Sequence, residues 1–417
     1  MITPSRLLIA ALAALSLLSC GRPPATAPAD TASRFRALKL EVSSFPVGDD
    51  EFRPRLLQGV LDGTPSWRWV EPSFALLVDR PPAQTKELFV ELQFGVPGEL
   101  DLTKGPLTLT CRVNGQQACR EQYAAAGDYW MACRVPDAVQ SAPQWRVEFS
   151  ADRSFRHPSL GRTVSLPVIG IGASELEGTH RFQEQQLQRA RDSYARQARR
   201  WQGVSLEDAR EALSVFHKLP TWRSAFFEGV PILKNPLDLW EMQEIIAETK
   251  PEFIIETGTL EGGSALLLAS ILDAAGLRGS KVITIDVATG HRAAEANPLW
   301  NQYVEFIHAS SSDAAMVQRL AARVKGHRTF VTLDSDHSMV HVLRELKLYS
   351  PLIHSGGYLI VEDTHLDGVP SYEGKYVGPM SAVERFLVLD EGKEFSRDLG
   401  REPFLMTFNP GGWLRRR

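Results

Sequence analysis

Between Glu252 and Val361 the chain alternates short apolar runs with helical segments, and that alternation restricts the fold more than any other feature. The runs are Glu252–Ile255, Lys281–Asp286, Tyr303–Ile307, Thr329–Leu333 and Gly357–Val361. Helical patterns fill Ser264–Ala275, Ala314–Val324 and His341–Tyr349. Parallel strands need crossovers, and helices at this spacing supply them, so the pattern predicts a doubly wound, mostly parallel α/β sheet. Ligands of such sheets bind beyond the carboxyl ends of the strands. The residues that close each run are therefore the ones to inspect.

The rest of the chain divides by composition. Arg6 followed by Leu7–Leu18 has the charge and length of a signal segment and is too short for a span of about 20 apolar residues. Leu17-Leu18-Ser19-Cys20 is lipobox-like, which predicts a lipid anchor at Cys20 and a bacterial envelope location; the bland readings are an ordinary signal or a misassigned start with a cytoplasmic protein. Residues 21–33 are Pro/Ala-rich and read as a tether. Residues 34–172 carry strand-like runs (Ser73–Val78, Glu87–Phe94, Leu107–Val113, Trp145–Phe149) with an Asn114-Gly115 turn, predicting an antiparallel β-sandwich. Trp67, Trp69, Trp130 and Trp145 in this region are either core residues or exposed stacking platforms. Cys111, Cys119 and Cys133 leave room for one disulfide of unspecified pairing. Residues 173–225 read as a helical linker, with Gln183–Trp201 its clearest helix, and 226–417 as the α/β domain, with Leu237–Glu248 an apolar-striped helix near its start. A net charge of −4 and the lack of any basic run except Arg415-Arg416-Arg417, read as a solvated tail, argue against a nucleic-acid partner.

Glu256-Thr-Gly-Thr-Leu-Glu-Gly-Gly-Ser264 closes the first run and opens a helix. Gly258 permits a tight turn, and Gly262 with Gly263 allow close backbone approach to a ligand. Glu256 can accept from a ligand amine, and Asp286, closing the next run, can hold two ribose hydroxyls. The spacing is not that of a nicotinamide fingerprint, and no phosphate-loop lysine follows. Ser311 and Asp313 lie in the loop after the third run, where Asp313 could equally cap the next helix.

Leu333-Asp-Ser-Asp-His-Ser338 and Val361-Glu-Asp-Thr364 close two neighbouring strands. They deliver Asp334, Asp336, Glu362 and Asp363 to one sheet edge. Carboxylates so placed repel by about 4 kcal/mol per pair at roughly 4 Å and an effective dielectric near 20, so either a cation is expected among them or some of them are protonated. Hard oxygen donors favour Mg²⁺ or a similar ion, with Asp334, Glu362 and Asp363 as ligands. His337 can act as general base, with Asp336 next in line; the alternative for His337 is a buried structural histidine.

Together Phe227–Lys234, Asn235–Gln243, Glu256–Ser264, Leu333–Ser338, Val361–Thr364 and Thr407-Phe-Asn-Pro410 resemble the cephalosporin hydroxylase family, which includes rhamnosyl O-methyltransferases, over about residues 215–417. The resemblance implies a Rossmann-like class I methyltransferase fold. It implies S-adenosylmethionine held by Glu256, Gly258, Gly262, Gly263, Ser264, Asp286, Ser311 and Asp313. By analogy with catechol O-methyltransferase, a more distant relative, Asp334, Glu362 and Asp363 hold Mg²⁺, and His337 stands where the catalytic lysine would be. The expected activity is O-methylation of a sugar or other small-metabolite hydroxyl, by a chain that could form homo-oligomers. A catalytically inactive exported binding protein is the second reading. A 2-oxoglutarate-type hydroxylase is disfavoured: the only H-x-D is His365-Leu-Asp367, and no histidine follows it.

Overall fold

A computed structural model describes residues 44–46, 50–61, 67–81, 88–174, 203–219, 222–367, 378–404 and 406–417. The signal segment, Cys20, the tether and the helix expected over Gln183–Trp201 lie outside these residues. No helix among the described residues is long and apolar enough to cross a membrane.

The N-terminal part is built from β1 (Ser44–Pro46), β2 (Leu56–Val60), β3 (Arg68–Asp79), β4 (Phe89–Val96), β5 (Leu107–Val113), β6 (Gln116–Tyr123), β7 (Gly127–Arg134), β8 (Gln144–Ala151), β9 (Phe155–Arg156), β10 (Thr163–Val164) and β11 (Pro167–Ser174). Its main sheet runs β6-β5-β8-β3-β11-β4-β7, antiparallel throughout. The long strand β3 is the shared element. Its start pairs with β11 (Arg68↔Val168) and its remainder with β8 (Ser73↔Ser150 through Asp79↔Gln144). The path folds over one apolar core holding Phe74, Leu76, Phe94, Trp145 and Phe149. A Cys119–Cys133 disulfide ties β6 to β7, the two far ends of the path, and Cys111 stays a buried thiol. The β5–β6 hairpin turns at Asn114 (φ 48°) and Gly115 (φ 80°), the two positive angles a type I′ turn demands. Trp145 is fully buried, whereas Trp130 belongs to the other domain's core.

The C-terminal part opens with a small hairpin, β12 (Phe226–Phe227) and β13 (Val230–Pro231). Its sheet holds β14 (Phe253–Thr257), β15 (Lys281–Asp286), β16 (Val304–His308), β17 (Thr329–Leu333), β18 (Tyr358–Val361), β19 (Phe395–Arg397) and β20 (Trp413–Arg416), in the order β16-β15-β14-β17-β18-β20-β19. The first five in this order are parallel; β20 and β19 add on antiparallel. Consecutive strand residues feed opposite faces. Ile254, Val282, Phe330 and Ile360 enter one core, and Ile255, Ile283, Val331 and Leu359 the other, which is why these strands read as unbroken apolar runs. The terminal arginines are no solvated tail: Arg415 and Arg416 lie in β20, and Arg416 pairs with Glu394.

The two parts pack on each other. Trp130 is 4% exposed inside the C-terminal core, and the Arg385 guanidinium sits 5.1 Å from its ring centroid while donating to Glu91 at 2.7 Å. A side chain at Gly170 of β11 would meet Val340 at 2.7 Å, so glycine is what lets this strand approach helix Met339–Tyr349.

Candidate functional site

Strand order reverses at β14, which has β15 on one side and β17 on the other. Crevices open at such a switch point beyond the strand ends, and here the chain forms a cavity of about 1070 Å³. Its wall takes Gly258, Gly262, Gly263, Ser264, Asp286 and Ser311 from the first three strand ends. Asp334, Asp336, His337 and Asp363 come from the next two.

The glycine turn is shaped by protein rather than by ligand approach alone. Gly258 has φ 86°, and a Cβ there would sit 1.9 Å from the Asp334 carbonyl; one at Gly263 would sit 2.1 Å from the Pro231 carbonyl. Gly262 is the left-handed cap of helix Gly263–Ala274, packed against Ala294 and Trp300. Asp286 braces the turn: one carboxylate oxygen accepts the Thr259 and Leu260 amides at 2.8 and 2.9 Å, the other the Ala288 amide at 2.8 Å. Ser311 accepts or donates to His341 Nε2 at 3.1 Å and lines the cavity.

Two expected cofactor residues fall elsewhere. Glu256 is fully buried beneath the turn, takes a hydrogen bond from Thr284 at 2.7 Å, and is no part of the cavity wall. Burial pushes its carboxyl up to about 7 against the pull of Lys234. Asp313 caps helix Ala314–Val324, accepting from Ala315 and Met316, and also stands off the wall. A strand-end acid lies in the sheet or above it according to where its strand stops, and β14 continues one residue past Glu256.

The acidic cluster differs from expectation in a more consequential way. Lys234, 6% exposed on the loop before helix Pro236–Thr249, donates to Asp334 and, at 2.8 Å, to Glu362. Thr332 donates to the other Glu362 oxygen. Both Glu362 oxygens thus accept from protein donors. The repulsion that called for a cation is met in part by the chain's own ammonium. Burial opposes the Lys234 charge, but the carboxylates of Asp334, Glu362 and Glu256 outweigh it and hold the ammonium firmly protonated. Burial likewise raises Asp334 and Glu362, with Lys234 pulling both back. Lys234 is the residue that sequence reasoning missed. Its signal was its place before Asn235-Pro236, the cap and first turn of a helix, which fixes where the loop ends.

Among the described residues, Asp334, His337 and Asp363 bring one donor atom each within 4.8 Å of one another. His337, expected as a separate base, is inside this cluster, its Nε2 3.4 Å from Asp363. Asp363 holds φ 56°, an uncommon backbone for a non-glycine residue, and Asn409 Oδ1 fixes it by accepting the Asp363 amide at 2.9 Å. That is the work of the Thr407–Pro410 segment, which is itself anchored on the buried Asp238. The two carboxylates are donors that suit Mg²⁺ or Mn²⁺, and the imidazole makes the full set a better fit to a divalent transition ion such as Mn²⁺. Asp336 accepts the Ser338 amide at 2.8 Å and faces the cavity.

Known proteins match this half of the chain. The family described as Rhamnosyl O-methyltransferase/CmcI matches residues 220–417. A rhamnosyl O-methyltransferase of Mycobacterium bovis is 38% identical over 200 residues, covering 47% of this chain and 79% of that protein. One of Mycobacterium leprae is 35% identical over 201 residues, covering 47% and 85%. A solved CmcI with Mg and SAM aligns at 19% identity and a TM-score of 0.36, over 47% of this chain and 77% of that one. With relatives this similar matched over most of their own length, the chain belongs to the rhamnosyl O-methyltransferase/CmcI family, and its C-terminal half is an O-methyltransferase domain.

Proposed function

We propose that this protein transfers the methyl group of S-adenosylmethionine to a hydroxyl of a saccharide, assisted by a divalent cation. The observation that carries the reading is the sharing of one cavity by the glycine turn with Asp286 and by the donor cluster of Asp334, His337 and Asp363. The sugar hydroxyl follows the curated relatives, which are rhamnosyl O-methyltransferases.

In this reading Asp286 and the turn it braces hold the nucleoside, and Asp334, His337 and Asp363 hold the cation. A bound divalent cation supplies positive charge that lowers the pKa of an acceptor hydroxyl and fixes its oxygen. Lys234 keeps Glu362 and one Asp334 oxygen occupied, which leaves the outer donor atoms of the cluster facing the cavity. With His337 used as a donor, Asp336 is the cavity-wall base that accepts the hydroxyl proton. The sulfonium-to-oxygen transfer then leaves S-adenosylhomocysteine and a methyl ether.

The test is calorimetric titration of the full chain with S-adenosylmethionine, followed by methyl transfer to a panel of methyl glycosides with chelator and Mg²⁺ or Mn²⁺ add-back. Saturable binding and chelator-sensitive transfer support the reading. Absence of binding would favour an exported protein that has kept only the fold. Export is itself a proposal resting on Leu17-Leu18-Ser19-Cys20: Cys20→Ala should move the protein from the membrane to the soluble fraction, and a wild type found soluble with Met1 intact overturns it.

A further inference from the structure

Helix Met339–Tyr349 begins two residues after His337, and its first turn is capped from the other domain. Ser338 stands at its N-cap but makes no side-chain cap bond, and its buried hydroxyl has no hydrogen-bond partner among the described residues. The Val340 amide is one of the first-turn donors that a helix cannot satisfy by itself. It donates instead to Gln93 Oε1 at 3.3 Å. Gln93 lies in β4 of the N-terminal part, outside residues 220–417, the stretch that the family accounts for.

Gln93 has a definite place on the docking face. It is paired with Gly170 of β11 on one side and with Trp130 of β7 on the other. Residues directly opposite in a sheet share a face, so Gly170, Gln93 and Trp130 form one row across three strands. Each member of the row meets the C-terminal part. Gly170 closes on Val340, Gln93 takes the Val340 amide, and Trp130 is packed in the C-terminal core. Glu91, two residues away on β4 and so on the same face, pairs with Arg385.

Gln93 is 1% exposed. A carboxamide is costly to bury unless its hydrogen bonds are made, and a leucine would fill the same space without that cost. The helix it caps is tied to the cavity at its first turn. Asp336 accepts the Ser338 amide at 2.8 Å, and His341 Nε2 lies 3.1 Å from the hydroxyls of both Ser311 and Ser335. Fraying of this turn would loosen Asp336 and His337. Gly262–Gly263, Asp286 and Asp363 are held by other elements.

From these observations we infer that Gln93 is a positioning residue of the cation centre: the β-domain holds the Asp336–His337 segment in place by capping the helix that follows it. This rests on the cation reading of the site and deepens it, because affinity for the ion then depends on a residue of the other domain.

The experiment titrates full-length protein with Mn²⁺ by calorimetry, with and without S-adenosylhomocysteine, and follows amide hydrogen exchange at Val340 and His341. Wild type is compared with Gln93→Leu, Gln93→Glu, Gln93→Asn and Glu91→Gln, and Tm and S-adenosylhomocysteine affinity are measured for each. A helix cap shifts a local equilibrium by about two- to thirtyfold. Gln93→Leu should weaken Mn²⁺ binding within that range and speed exchange at Val340, with S-adenosylhomocysteine affinity kept. Gln93→Glu keeps an acceptor oxygen at the same reach and should retain most of the Mn²⁺ affinity. Gln93→Asn is one methylene short and should fall between; it carries the test should Gln93→Leu fail to fold. Glu91→Gln loosens the same interface without touching the helix, so it should lower Tm and leave Mn²⁺ affinity unchanged. The inference is overturned by unchanged Mn²⁺ affinity in the leucine and asparagine variants, by an equal loss in Gln93→Glu, or by an equal loss in Glu91→Gln at a matched fall in Tm. A wild type that binds no Mn²⁺ overturns it together with the cation reading. Missing S-adenosylhomocysteine binding marks failure of the methyltransferase reading alone, since the Mn²⁺ titration proceeds without it.

Discussion

Lys234 Nζ lies 2.8 Å from Glu362 Oε2, in the midst of the carboxylates where an acidic sequence motif suggests only a metal ion. An ammonium built into the fold changes what removal of either partner does. In Lys234→Met, the buried Glu362 and the half-buried Asp334 would lose their counter-ion, and breaking a buried pair in this way costs about 3–5 kcal/mol. The variant should melt well below wild type. Mg²⁺ or Mn²⁺ should then raise its Tm by more than it raises that of wild type, because the added cation would replace the missing one. Scanning calorimetry with and without divalent ion measures this; equal ion responses in the two proteins would show that the ammonium and the ion do not share the same carboxylates.

His337 can be a ligand or a base, and the two roles separate in one variant. As a ligand beside Asp363, its loss in His337→Ala should weaken divalent-ion affinity at least tenfold and lower kcat at limiting ion, with activity largely restored at saturating ion. A base would behave otherwise, with affinity intact and kcat down by about 10²-fold at every ion concentration. Metal titration followed by turnover at saturation distinguishes the two.

Glu256 gives the fold a pH dependence of predictable sign. Its carboxyl is raised from 4.5 to about 7 by burial, so between those values the folded chain holds a proton that the unfolded chain has released. Stability from this group is complete below about pH 4.5 and is lost as pH rises through 7, a change on the order of 3 kcal/mol. Glu256→Gln stays neutral throughout. The Tm difference between variant and wild type should therefore grow in the variant's favour from pH 5 to pH 8. A difference that is flat or reversed across that range would mean the buried carboxyl is ionised in the folded state.

At the junction of the two domains, Arg385→Ala would remove the ion pair to Glu91, which is 4% exposed, and the cation above Trp130. Both losses act on one interface, so about 3–5 kcal/mol is expected. Limited proteolysis should cut the chain between the domains faster than in wild type, while Arg385→Lys keeps part of the protection. Unchanged cleavage rates in Arg385→Ala would relieve this pair of any holding role.

The parallel sheet is legible in the sequence because its strands feed two cores at once and so read as unbroken apolar runs, as Ile254-Ile255 and Leu359-Ile360 do. Strands β19 and β20 are not, because Phe395–Arg397 and Trp413–Arg416 carry exposed-looking arginines whose burial depends on partners such as Glu394. The cavity acids Asp286, Asp334 and Asp363 are legible from strand ends. What strand ends cannot convey is depth: Glu256 lies one residue short of its strand's end and is sealed beneath the turn, and Glu362 is turned to Lys234. Lys234 comes from a loop far away in the chain, so no local pattern ties it to the acids it approaches.

Trp130 is encoded among the strands of the N-terminal half, yet its indole is packed into the C-terminal core. The heritable module and the mechanical module of this protein therefore have different borders. A fragment cut at residue 220, where the family match begins, would present an open socket the size of one indole and an Arg385 guanidinium without Glu91 and Trp130. Any graft that gives this catalytic half a new companion must bring a plug of that shape with it.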